Sequence, residues 1–315
     1  MIWRRISFMR EAGGEPRKSM SDSPCRNGAG DVMDATSLKI LAAAAWAALA
    51  AAGQASAQGA APPAAKPEMT ESCPGLVASR PPFAVPAAFR LAALNPDQAR
   101  ISYAGHSTFL IESPQLVRIA TDYNDYVKPP VLPDIVTMNH AHSTHFTNAP
   151  DPGIKHVLRG WAGEEKPARI DLQYKDVRVR NVPTNIRSWD GGTERHGNSI
   201  FIFEIANLCI AHLGHLHHTL TQAQLNEIGR VDVVMLPVDG TLTLDLEGMI
   251  EVLHALKAPL MIPMHYFSTY SLRRFLDVLG EKSFEVEFSE SPSLLVSKTT
   301  LPGKPKVLVL PGRSF

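Results

Sequence analysis

Apolar residues in this chain recur in short runs bounded by glycine, proline and polar turn residues. Period-two alternation or a continuous apolar run marks RISYAG (100–105), TFLIE (108–112), LVRIAT (116–121), DIVTM (134–138) and DVRVRNV (176–182) as strands. NSIFIFEI (198–205), LCIAHL (208–213), DVVMLPV (232–238) and LMIPMH (260–265) read the same way, and the terminal segments FEVEF, LLVS and KVLVLP continue the pattern. Three helices are predicted. Thr221 and Gln224 form a capping box for one that stops at Gly229. Asp245 caps a second, in which Leu246, Met249, Ile250, Leu253 and Leu256 keep the helical period, and Ser268 or Thr269 opens a third along YSLRRFLDVLG. Strands as uniformly apolar as DVVMLPV are buried on both faces, so the pattern predicts sheets covered by helices, an α/β fold in a single domain over 99–315.

Upstream the pattern changes. Lys39, the apolar stretch ILAAAAWAALAAA (40–52) and Ala55-Ser56-Ala57 have the order of a secretory signal, which predicts a leader over 1–57 with Met33 as an alternative start. The stretch is shorter than the ~20 apolar residues of a spanning helix. Residues 58–98, beginning QGAAPPAAKP, read as a linker and N-terminal extension. Export to the periplasm or medium permits disulfides, but the apolar setting of Cys209 predicts that it and Cys73 stay free thiols.

The chain carries 31 basic and 31 acidic residues; setting aside 1–57 leaves 24 and 26, a net charge of −2. Such a body has no electrostatic footprint for nucleic acid. The expected partner is a small-molecule substrate, with no nucleic acid and no membrane insertion after the leader is removed. The sequence contains no H-E-x-x-H, G-x-S-x-G or phosphate-loop motif.

The histidines carry the chemistry. His140, His142 and His145 follow the strand DIVTM, His212, His215, His217 and His218 follow LCIA, and His265 closes LMIPM. Strand ends are where rigid sheets fix loops and sites gather, and imidazole is the commonest nitrogen ligand of zinc. In an extended segment His140 and His142 point to one side, as two ligands of one ion must. His156, placed in a linking segment, and His254, on a helix, have no assigned role.

In this order the motifs resemble the metallo-β-lactamase superfamily, in its lactonase-like branch, from Ile101 to Tyr266. ISYAGHSTFLIE with Asp122 is similar to that family's opening hairpin. DIVTMNHAHSTH is similar to its H-x-H-x-D-H loop, HLGHLHH to H-L-G-D-L-G-H, VDVVMLPVDG to V-D-x-L-x-x-P-V-G-G, and IPMHY matches outright. The resemblance implies an αββα sandwich with a metal site along one edge, where two ions activate water against an ester, lactone, amide or phosphodiester. It places His140, His142 and His145 at loop ligand positions and His265 at the last histidine.

Four positions depart from that pattern. Thr144 stands for the catalytic loop aspartate, His215 for the bridging aspartate, Ile186 for a ligand histidine, and Asp239 for a glycine. These losses imply one divalent ion, zinc before iron or manganese. Either His145, His215 and His265 or His140, His142 and His215 would hold it, with Glu194, His196 and Asp239 as substitutes for lost ligands. His140 and His142 are also candidates for proton transfer, and Asn139, Thr144, Tyr266 and Asp239 for orienting ligands. The expectation is an exported metal-dependent hydrolase; the alternative is a catalytically silent relative that binds a ligand or metal.

Overall fold

The computed structural model describes residues 94–312 except 164, 189 and 281–283. The expected leader, most of the extension over 58–98 and Cys73 lie outside the described residues.

Two sheets form. The smaller is built from β1 (Ala99–Gly105), β2 (Thr108–Glu112), β3 (Arg118–Ala120), β4 (Ile135–Met138), β5 (His156–Arg159) and β13 (Ser293–Val296), in the order β13-β1-β2-β3-β4-β5. The larger contains β6 (Asp171–Tyr174), β7 (Val177–Arg187), β8 (Thr193–Ile205), β9 (Leu208–His212), β10 (Val233–Pro237), β11 (Leu260–Met264), β12 (Glu285–Phe288) and β14 (Lys306–Val309), in the order β12-β14-β11-β10-β9-β8-β7-β6. Strands β9, β10 and β11 run parallel, as do β3, β4 and β5, so their C-terminal ends deliver loops to common edges.

Alternation within single strands builds two cores. In β8, Phe201, Phe203 and Ile205 face the smaller sheet, whereas Ile200 and Ile202 face the helices; Val233 and Met235 of β10 divide from Val234 and Leu236 in the same way. This explains the continuous apolar runs. Helices α1 (Gln222–Ile228), α2 (Leu246–Leu256) and α3 (Thr269–Leu279) cover the outer face of the larger sheet. On α2, Leu246, Met249, Val252, Leu253 and Leu256 are buried, each contributing about 1.5–3 kcal/mol. The outer face of the smaller sheet is covered, among the described residues, by Ile154 with Phe146 and Trp161. The result is a sandwich of two sheets, which the family resemblance implied and with which the strand pattern agrees.

Three readings are corrected. His156 lies in the edge strand β5 and not in a linker, and β6 was not predicted at all; both are short, partly exposed strands without a buried apolar run. β7 and β8 extend to Arg187 and back from Thr193, beyond their expected ends, because they pair as one long hairpin with a bulge between Thr184 and Ile186. Cys209 is fully buried, as predicted, but it is disulfide-bonded and not a free thiol.

Candidate metal centre

The ends of β4, β9 and β11, the β1–β2 turn and the loop after β3 meet at one edge of the sandwich. The β1–β2 turn is held over β11 because the His106 carbonyl accepts both the His265 amide (2.8 Å) and the Tyr103 hydroxyl (2.8 Å). His106, Asp122 and His265 all have positive φ (53°, 43° and 56°). Such backbone strain in non-glycine residues gathers at functional sites, where the surroundings over-determine it. Gly214 (φ 61°) is required in the turn after β9, since a Cβ there would collide with the Asn139 and Asn198 side chains.

Four imidazoles converge: His142, His145, His215 and His265 each present a nitrogen, all within 4.8 Å of one another. His145 and His265 are fully buried. The His145 and His265 Nε2 atoms stand 3.2 Å apart, and those of His142 and His215 3.0 Å apart. Ligand atoms of a tetrahedral zinc lie about 3.3 Å apart, given Zn–N bonds of about 2.05 Å.

The hydrogen-bond partners assign the tautomers. His145 Nδ1 meets the Asp122 carboxylate at 2.6 Å and His265 Nδ1 meets the Asp239 carboxylate at 3.0 Å. Both rings therefore donate from Nδ1, and their Nε2 lone pairs face each other with no hydrogen between them. That arrangement is repulsive unless a cation sits against both, so the donor set fits a metal ion. The second pair is arranged differently. The Arg187 amide donates to His217 Nδ1 (2.8 Å), which leaves the hydrogen of His217 on Nε2 to donate to His215 Nδ1 (2.6 Å). His215 then carries its hydrogen on Nε2, pointing at His142 Nε2, and His142 Nδ1 pairs with the Thr144 hydroxyl at 2.8 Å.

The supporting residues act through these contacts. Asn139 donates to Asp122 (2.9 Å) and so holds His145 at one remove. Asp239 accepts the amides of Thr241, Leu242 and Thr243 and the Thr243 hydroxyl, closing the loop that anchors His265. Burial works to raise the Asp239 carboxyl, yet His265 and these donors hold it well below the usual carboxylate range. Burial raises Asp122. Burial and neighbouring imidazoles push His142, His145 and His215 down, which keeps their rings neutral, as metal ligation requires.

Other assignments change. His140 is exposed, rests against Phe146 and Trp161, and pairs with Glu194 at 2.7 Å, away from the four nitrogens. The strand ends at Met138 and the chain turns, so the same-side rule for His140 and His142 does not apply. The Tyr266 hydroxyl points to the Leu310 carbonyl and not to a histidine. Ile186 packs against Gly197, His196 and Glu194 lie outside the group, His212 bonds the Ser107 carbonyl, and His218 is exposed. Sequence reasoning overlooked His106, whose ring centroid lies 4.4 Å from that of His265, and the Arg187–His217 support of His215. The G-H-S-T turn and the His-x-His spacing of 215 and 217 were the available signals.

A sandwich of two sheets with histidines converging at one edge defines a scaffold that could hold a metal ion there. The β-lactamase superfamily domain matches residues 100–265, and the chain belongs to that superfamily. It is 26% identical over 183 residues to a UPF0173 metal-dependent hydrolase of Nanoarchaeum equitans, covering 53% of this chain and 83% of the relative. A second UPF0173 metal-dependent hydrolase, from Thermoplasma acidophilum, is 27% identical over 203 residues, covering 56% and 87%. A crystal structure described as a zinc-dependent hydrolase of the metallo-β-lactamase superfamily from Thermotoga maritima aligns with a TM-score of 0.50 and 28% identity, over 68% of this chain and 100% of that one.

Proposed function

We propose that this chain is an exported hydrolase that uses one divalent ion, zinc before iron or manganese, to cleave an ester, lactone or phosphodiester. The observation that carries the reading is the pair of opposed Nε2 lone pairs on His145 and His265, beside His142 and His215. These four residues would hold the ion. An ion of this kind supplies Lewis-acid polarisation and acidifies water, the chemistry hydrolysis needs. The chain's own part is to orient the four rings: Asp122 and Asp239 hold the hydrogens of His145 and His265 on Nδ1, and Thr144 and His217 position His142 and His215. Export is supported by the signal-like order of residues 39–57.

A specific observation favours the second reading, a relative that binds metal without hydrolysis. The loop position of the family's catalytic aspartate is Thr144, and the carboxylates nearest the group, Asp122 and Asp239, are engaged by Nδ1 atoms and not free to handle water. Metal analysis together with turnover assays on protein purified without a histidine tag separates the readings. The hydrolase reading expects about one equivalent of ion, lost with at least a hundredfold fall in esterase activity in His145→Ala and His265→Ala. Bound metal with no turnover of esters, lactones or phosphodiesters would establish the silent relative.

A further inference from the structure

A cavity of about 600 Å³ opens beside the four histidines. Its inner wall includes His106 and Thr144, the first tilted against the His265 ring with centroids 4.4 Å apart and the second bonded to His142, so one layer of side chains separates it from the four histidines. Its outer wall includes Tyr126, Phe267 and Phe288, which are 67%, 59% and 64% exposed. No Lys, Arg, Asp or Glu is among the described residues that line it. The N-terminus of α3 reaches it at Ser268 and Thr269, but the Ser268 hydroxyl already accepts the Ser271 amide.

We propose that this cavity is the substrate site and selects an uncharged carboxylic ester or lactone with an apolar acyl chain, excluding phosphodiesters. The proposal rests on the hydrolase reading for its reaction but on the cavity alone for its ligand class. A volume in the usual range for small-molecule sites lies next to the reactive edge. Phosphate recognition uses Arg, Lys or several free backbone amides, and the described residues of this wall supply no such cation. Aromatic faces left in water gain from cover by an alkyl chain, at about 0.8 kcal/mol for each buried methylene, or about a fourfold change in affinity.

The test uses the full chain with its metal and reads binding and turnover separately. Binding is followed by displacement of the neutral dye Nile red with acetamide, butyramide and octanamide, which are unreactive uncharged probes. Affinity is expected to rise about threefold to fourfold per methylene and to fall at least tenfold for octanamide in the exposed-site variants Tyr126→Lys and Phe267→Lys. Turnover of 4-nitrophenyl acetate, butyrate and octanoate is expected to rise with chain length in kcat/KM, with bis(4-nitrophenyl) phosphate at least a hundredfold below octanoate. Octanamide bound no better than acetamide, or a phosphodiester preferred to octanoate, overturns the proposal while leaving a hydrolase in place. Octanamide bound through Phe267 with no ester turned over would sustain the cavity assignment and remove the hydrolase reading.

Discussion

Two pairs of imidazoles at this edge look alike in distance but differ in proton content. His145 and His265 carry their hydrogens on Nδ1, against carboxylates, and have free lone pairs inward. His215 cannot do the same, because His217 donates to its Nδ1 and is itself fixed by the Arg187 amide. One hydrogen therefore lies between His215 and His142, whose Nε2 atoms are 3.0 Å apart. An ion bound by all four nitrogens must expel it. Calorimetric titration of zinc at pH 7 in buffers of different ionisation enthalpy should report about one proton released per ion. In His217→Ala the donor to Nδ1 is gone, His215 can keep its hydrogen there, and release should fall toward zero. No release from the wild type would mean that His142 and His215 do not both bind the ion. This distinction could not be read from the sequence: H-L-G-H-L-H shows three imidazoles, and only the paired strand placing Arg187 beside His217 decides which nitrogen carries hydrogen.

At the scale of elements, legibility followed burial. The apolar runs of β4, β8, β9, β10 and β11 were plain because both faces are covered, and all three helices announced themselves by caps: the capping boxes at Thr221 and Ser268 and the Asp245 side chain accepting the Gly248 amide at 2.8 Å. The edge strands β5 and β6 were not, since partial exposure erases the apolar signal and the pairing partner alone makes them strands. The histidine-bearing loops were legible as strand ends, whereas the turn that swings His140 out to Glu194 was not, because turn geometry depends on contacts such as the His140 amide with the Gly197 carbonyl. The caps also make a quantitative prediction. Asp245→Ala removes an accepting oxygen from the start of α2 and should cost about 1 kcal/mol in urea unfolding. The effect should be confined to stability, because α2 packs on the helix-covered face of the larger sheet and contributes no residue to the four-histidine group. A loss of metal from this variant would contradict that separation.

At the scale of the whole molecule, several neutral imidazoles are buried in one place, and this sets the response to acid. Burial, aided by neighbouring histidines, lowers His106 to about 3. Burial and the Arg187 guanidinium lower His217 to about 4. In the unfolded chain both titrate near the ordinary histidine value of about 6.5. Below that value the unfolded chain binds more protons than the folded one, so stability falls as pH falls, and continues to fall until the folded-state values are reached. These two residues alone should remove roughly 4 kcal/mol from the metal-free protein between pH 7.5 and 5, a large part of the ~5–15 kcal/mol typical of a domain. His142, His145, His212 and His215 are lowered too and add to the loss. Asp239, depressed in the fold, gives support that is lost only below about pH 4, in a separate window. Asp122, raised by burial, opposes the trend at the acidic end. Urea unfolding of metal-stripped protein at pH 7.5, 6 and 5 should therefore show a steep decline, which saturating zinc shifts to lower pH because the ion occupies the lone pairs that protons would take. Equal unfolding midpoints at pH 7.5 and 5 without metal would mean that these rings are not held neutral by the fold.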